Sequence, residues 1–199
     1  MPLSSCAPSE QEKAIVALEE KDIYEEDYKQ ALWKAIDKGD RKTIRLLLQA
    51  GMDISSMRTS QYDATPLIWS IIQKKPRIAR ELIRTGMDLN AENIYGNTAL
   101  GDAFYHGLYG IIDDLIEAGA DIHHLEQHND TMLIIAARYG RAKYVKLFIE
   151  EGLDVNARNN HGQTPLSEAL NKNHAEAARI LIAAGADTTG LDTSQVQNP

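Results

Sequence analysis

The fold class this sequence predicts is an all-α repeat solenoid, and three observations predict it. Thr65, Thr98, Thr131 and Thr164 recur at a constant interval of 33 residues. Gly86, Gly119, Gly152 and Gly185 keep the same interval, so two independent landmarks share one register. Between the landmarks lie apolar clusters at helical spacing: Ile78, Ala79, Leu82, Ile83; Ile111, Ile112, Leu115, Ile116; Val145, Leu147, Phe148, Ile149; Ala178, Ile180, Leu181, Ile182. A fixed period of this length identifies a stack of like units before any local structure is assigned.

Each element has its own justification along the chain. Residues 9–21, "SEQEKAIVALEEK", open on Ser9 and Glu12 as a capping box. They place Ile15, Val16 and Leu18 on one side, which predicts an added helix covering the first unit. The first unit carries Leu32, Ala35, Gly39, Ile44, Leu46, Leu47, Leu48, Gly51 and Asp53 in the common frame. Its Gly51 precedes Gly86 by 35 residues, so two extra residues are expected in the connection around Ser55 to Tyr62. In the four later units each threonine is followed by a leucine (Leu67, Leu100, Leu133, Leu166) and then a small residue (Ser70, Ala103, Ala136, Ala169) on the same helix face. Each apolar cluster ends at its glycine, the residue that takes a left-handed conformation past a helix without a Cβ clash. Two positions on stand Asp88, Asp121, Asp154 and Asp187, suited to a turn in which the side chain accepts from the backbone ahead. The end, "TTGLDTSQVQNP", is polar and expected to be loosely attached.

These residues resemble the ankyrin repeat. "GQTPLSEAL" with "ILIAAGAD", and "DATPLIWSI" with "ELIRTGMDLNA", are similar to that family's G-x-T-P-L-x-x-A opening and L-L-x-x-G-A-D-V-N-A close. The resemblance implies an ankyrin-repeat solenoid of stacked helix-turn-helix units with β-turn fingers. It gives five repeats at about 28–59, 60–92, 93–125, 126–158 and 159–189, after an acidic segment 1–27 and before a tail 190–199. The chain also departs from the pattern. Trp33, Ile68, Gly101, Ile134 and Ser167 stand where the family often has histidine, and Ala99 and Met132 replace the proline kept at Pro66 and Pro165. Gly39, Gly107 and Gly140 keep the glycine between the helices, whereas Lys74 and Asn173 replace it. Lysine tolerates a left-handed backbone poorly, so an altered turn is expected in the second repeat, with Pro76 in the first turn of the helix after it.

Composition narrows the function. With 43% hydrophobic and 25% charged residues the 199-residue chain has the make-up of a globular protein, and no apolar run is long enough to cross a membrane. A net charge of -8 repels phosphate backbones and favours basic or neutral protein partners over nucleic acid. One cysteine, Cys6, leaves no internal disulfide framework and a reducing, cytoplasmic compartment as the default. Leu3 to Cys6 resembles a lipoprotein cleavage box without the preceding apolar stretch; a chain trimmed of its leader would place the protein in the periplasm instead.

No nucleotide-binding, hydrolase or metalloprotease signature is present, and no cofactor is implied. His123, His124 and His128 crowd one connection beside Glu126, but a structural zinc site wants four fixed ligands, so solvated loop histidines are expected and no metal. The resemblance implies instead a concave surface made by the fingers and first helices, which recognises other proteins. By register it contains Tyr62, Ile72, Ile94, Tyr95, Asn97, Tyr105, His106, His128, Arg138, Tyr139 and His161, with Tyr95, Tyr105, His106, Arg138 and Tyr139 as a central strip. Tyrosine and arginine dominate binding energy at protein interfaces. The expected function is a non-catalytic interaction module, monomeric when free. An inhibitor of the immunity-protein or antitoxin kind is a sharper version, and a hydrolase pairing Asp102 with His106 across one helical turn is the rival. Asp102 itself falls between the packed positions.

Overall fold

The computed structural model describes residues 8–196, so the Leu3 to Cys6 box lies outside the described residues. Its α-helices are α1 (Glu10–Glu19), α2 (Tyr28–Lys38), α3 (Arg41–Gln49), α4 (Pro66–Ile72), α5 (Pro76–Ile83), α6 (Ala99–Tyr105), α7 (Tyr109–Glu117), α8 (Met132–Arg138), α9 (Ala142–Glu150), α10 (Pro165–Asn171) and α11 (Ala175–Ala183). No strand occurs among the described residues, only an isolated bridge between Glu126 and Asp130.

The periodic threonines start the inner helices. Thr65, Thr98, Thr131 and Thr164 are N-caps, each Oγ1 accepting the N–H three residues on at 3.1–3.3 Å. The leucine two residues later and the small residue after it are buried in every repeat. Helices of seven residues are too short to persist alone in water, so the stack must hold them. It does so in two layers: α2, α4, α6, α8 and α10 pack on one another inside, and each pairs with the outer helix that follows. The outer layer carries a ladder of charges. Glu81 of α5 takes Arg45 at 2.5 Å and Arg41 of α3; Arg80 takes Asp114 of α7 at 2.7 Å; Lys143 of α9 takes Asp113 at 2.5 Å. The Arg45 and Arg41 hydrogen bonds hold the Glu81 carboxyl down to about 2.

The turn chemistry is repeated faithfully. Asp53, Asp88, Asp121, Asp154 and Asp187 each accept from the backbone two residues ahead at 2.8–2.9 Å. The two extra residues of the first connection flank Thr59, one before it and one inside the second finger, which closes from Thr59 N–H to the Ala64 carbonyl at 2.9 Å. Later fingers close across one residue fewer, as from Asn93 N–H to the Asn97 carbonyl at 2.9 Å.

Three details differ from the sequence reading. The second repeat's helix–helix turn is not altered: Lys74 takes φ 52 where Gly107 takes φ 69, with the same backbone hydrogen bonds, because the packed helices on both sides fix the turn. In α1, which packs on α3, Ala14 and Leu18 face inward while Val16 is 54% exposed; the buried stripe follows an i, i+4 pair. Gln11 of that helix donates to the Ala50 carbonyl at 3.0 Å, covering the end of α3. The chain after Asp187 is not loose, since Leu191 and Val196 pack against the core and a 3-10 turn, Ser194–Val196, sits on α11.

Candidate functional site

The middle of the stack is organised around the start of α6. Thr98 caps that helix, and its own N–H and hydroxyl both donate to Glu126, at 2.7 and 2.5 Å. Glu126 is 3% exposed, and it reaches back from the next repeat into the space above Gly101. A Cβ on residue 101 would lie 2.3 Å from Glu126 Oε2, so the buried glutamate requires a glycine there. In the flanking repeats Asn93 and Asn159 hold this frame position, and each steadies its own finger with its Oδ1 accepting two backbone N–H groups at 2.9–3.2 Å. Glu126 does the opposite and ties its repeat to the previous one. Its own finger has a different backbone, with His128 and Asn129 both left-handed.

Next to Gly101, Asp102 is 5% exposed and accepts from Asn93 Nδ2 at 2.9 Å. Burial, reinforced by the neighbouring Glu126 carboxylate and only partly offset by the amides of Asn93 and Asn97, pushes the Asp102 carboxyl up to about 7. Burial likewise raises Glu126, against the hydrogen bonds from Thr98. Among the described residues no cation pairs with Asp102.

Above this buried carboxyl lies a groove of ≈ 390 Å³ lined by Tyr62, Ile72, Asn93, Tyr95, Asn97, Asp102, Tyr105, His106 and Gln127. Six of the eleven residues expected on the binding surface therefore share one groove. Tyr95 and Tyr105 are its open walls, 51% and 69% exposed, and Tyr62 meets the Tyr95 ring at 6.3 Å. Asn97 is partly committed, its Oδ1 accepting the Gln127 N–H at 3.1 Å. Ile94, 63% exposed, belongs to an adjoining groove of ≈ 750 Å³ with Trp33, Trp69 and Asp37, in which Trp69 Nε1 donates to Asp37 Oδ1 at 2.8 Å. Tyr62 lies 5.8 Å from the Trp69 ring and so separates the two hollows. A cavity of ≈ 530 Å³ at the N-terminal end is lined by equal numbers of lysines and aspartates and has no aromatic wall.

The remaining expected residues separate into distinct roles. His128 and His161 meet from two successive fingers, their rings 4.8 Å apart and tilted, and neither lines the groove. Tyr139 is half-buried, packed against the core. Arg138 does not line the groove and is engaged by two carboxylates. It forms a fork on Asp130, with a second bond at 3.1 Å, and donates to Glu168 at 2.5 Å. Burial works against its charge, but the two carboxylates outweigh that and raise its pKa. Sequence reasoning missed Trp33, Trp69, Glu126 and the burial of Asp102. A signal existed for the last: Asp102 and Glu168 hold the same position two periods apart, as do Asn93 and Asn159.

Asp102 and His106 share the helical backbone hydrogen bond at 2.9 Å, while the Asp102 carboxyl is held by Asn93, so the orienting-acid and base pair expected of a hydrolase is not formed. Burial and the Lys74 ammonium lower the His106 pKa, leaving the ring neutral near pH 7. Among the described residues no three His, Cys, Asp or Glu side chains gather as a metal site; His124 instead faces Glu92 at 3.5 Å. No described helix is long and apolar enough to cross a membrane.

The family model for ankyrin repeats (3 copies) matches residues 3–93, 32–126 and 100–192, which together span nearly the whole chain. No curated protein matches it significantly.

Proposed function

The chain belongs to the ankyrin-repeat family, and from that premise we propose that it is a non-catalytic module whose Tyr62, Tyr95 and Tyr105 groove binds a basic or neutral protein partner. Ankyrin repeats are generally protein–protein interaction modules. The observation that carries the reading is the exposure of Tyr95 and Tyr105 on the walls of one groove, with Ile94 exposed next to Tyr95 on the same finger. Large apolar side chains clustered on a surface mark an interaction site, and tyrosine supplies contact area at low entropic cost. The wall residues make few internal hydrogen bonds, so little of the fold depends on their side chains, whereas Arg138 and Asn97 are already engaged.

A double substitution, Tyr95→Ala with Tyr105→Ala, tests the proposal against a partner captured by the wild-type chain. Each hot-spot tyrosine contributes about 2 kcal/mol. The expected result is loss of the partner with an unchanged melting temperature; an unchanged affinity would remove the groove from the account.

A further inference from the structure

The chain contains its own template for what belongs in the groove. Arg138, the last residue of α8, reaches Glu168, the fourth residue of α10, at 2.5 Å, and that glutamate also accepts from Gln163 at 2.5 Å. Two periods earlier the same frame positions hold Ile72, the last residue of α4, and Asp102, the fourth residue of α6. Asn93 and Asn97 hold the positions of Asn159 and Gln163; Gln163 donates to Glu168 as Asn93 does to Asp102, whereas Asn159 donates to Asp130, whose place two periods earlier is taken by Ala64. A helix carboxyl with a donating amide is thus present in both places, but the guanidinium is present in only one. Where it is missing, Ile72 leaves an open groove with tyrosine walls and the Asp102 carboxyl on its floor. A buried carboxyl without a counter-charge is costly, and a cation that reaches it removes that cost.

We propose that this groove takes an arginine side chain of the protein partner, its guanidinium set against Asp102 with the Tyr95 and Tyr105 rings as walls. The proposal rests on the partner-binding reading above and specifies its chemistry. A planar guanidinium suits both halves of the site, forming forked hydrogen bonds to a carboxylate and stacking on aromatic faces. None of the groups acting on Asp102 supplies a positive charge. Asn93 and Asn97 are neutral amides, Glu126 adds a second negative charge, His106 is neutral, and Lys74, on the turn after α4, is exposed and acts on His106. The net charge of -8 draws a basic partner segment toward the face.

The test uses the full chain and three probes, acetyl-Gly-Arg-Gly amide and its lysine and citrulline counterparts, followed by NMR of the Tyr95 and Tyr105 rings and the Asp102 carboxyl carbon. Arginine is expected to bind roughly tenfold more tightly than citrulline, which has the same shape without the charge, and lysine to fall between them. Asp102→Asn is expected to abolish the preference for arginine. Ile72→Arg, which supplies the guanidinium from within, is expected to block the arginine probe and to lower the Asp102 titration. If that variant does not fold, Asp102→Asn alone decides. No response to the arginine probe, equal binding of arginine and citrulline, or an arginine preference that survives Asp102→Asn would each overturn the inference. Tyrosine-dependent capture of a partner alongside any of these would leave the groove reading standing, whereas capture indifferent to the tyrosines would remove both.

Discussion

Asp102→Asn is expected to make the protein more stable in mild alkali while leaving its fold unchanged. The folded carboxyl is raised to about 7 from the ordinary 3.8, so between those values the folded chain holds a proton that the unfolded chain has released. Stability tied to this group is therefore present at low pH and is lost as pH rises through about 7. At about 1.4 kcal/mol per pH unit the full gap corresponds to about 4 kcal/mol, and relaxation of the interior reduces it to about 2–3 kcal/mol. Glu126, also raised, works in the same direction, and His106, lowered, works in the opposite one. The informative quantity is therefore the difference between variant and parent, in which the background largely cancels. Asparagine keeps the shape, retains an oxygen for the Asn93 amide and carries no charge beside Glu126. Urea unfolding followed by circular dichroism at about pH 5 and about pH 8 measures it, and the variant should gain about 2 kcal/mol at the higher pH and less than half of that at the lower, where only the first part of the interval above 3.8 has been crossed. A variant destabilised at the higher pH, or a difference that does not change with pH, would refute the reasoning.

Three further substitutions probe the frame around the groove. Gly101→Ala places a methyl group 2.3 Å from Glu126 Oε2, and expulsion of the glutamate should lower stability by about 2–4 kcal/mol in urea melts. Arg138→Ala leaves Asp130 and Glu168 buried without their cation; a loss of about 2–4 kcal/mol is expected, with Arg138→Met recovering part of it. Lys74→Gly relieves a left-handed lysine and should raise stability by about 0.5–1 kcal/mol, the strain outweighing the added freedom of the unfolded chain, as read from the thermal midpoint.

Sequence reading succeeded where the governing interaction is local. A threonine capping the N–H three residues on, an aspartate accepting two residues on and a left-handed glycine after a helix are each written into a few neighbouring positions, so their repetition revealed the whole stack. It failed where the partner lies in another repeat. Glu126 answers Thr98 across 28 residues, and Arg138 is drawn inward by Glu168 across 30, and nothing beside either residue announces it. Lys74 shows the same limit from the other side, since its strained turn is imposed by the helices it joins. Register located Tyr62, Ile72, Tyr95, Tyr105 and His106 in one groove without identifying its floor. Asp102 read as an intermediate helix position because an aspartate is usually solvated, and here the finger of its own repeat covers it.

The central claim, that the tyrosine groove is where this protein meets its partner, is tested most directly by one comparison. The affinity of a purified partner is measured for the wild-type chain, for Tyr95→Ala with Tyr105→Ala, and for Lys146→Ala on the exposed side of α9 as a control. The account predicts a fall of at least tenfold for the tyrosine variant, with wild-type melting, and no change for the control. Equal affinity across all three chains would contradict it.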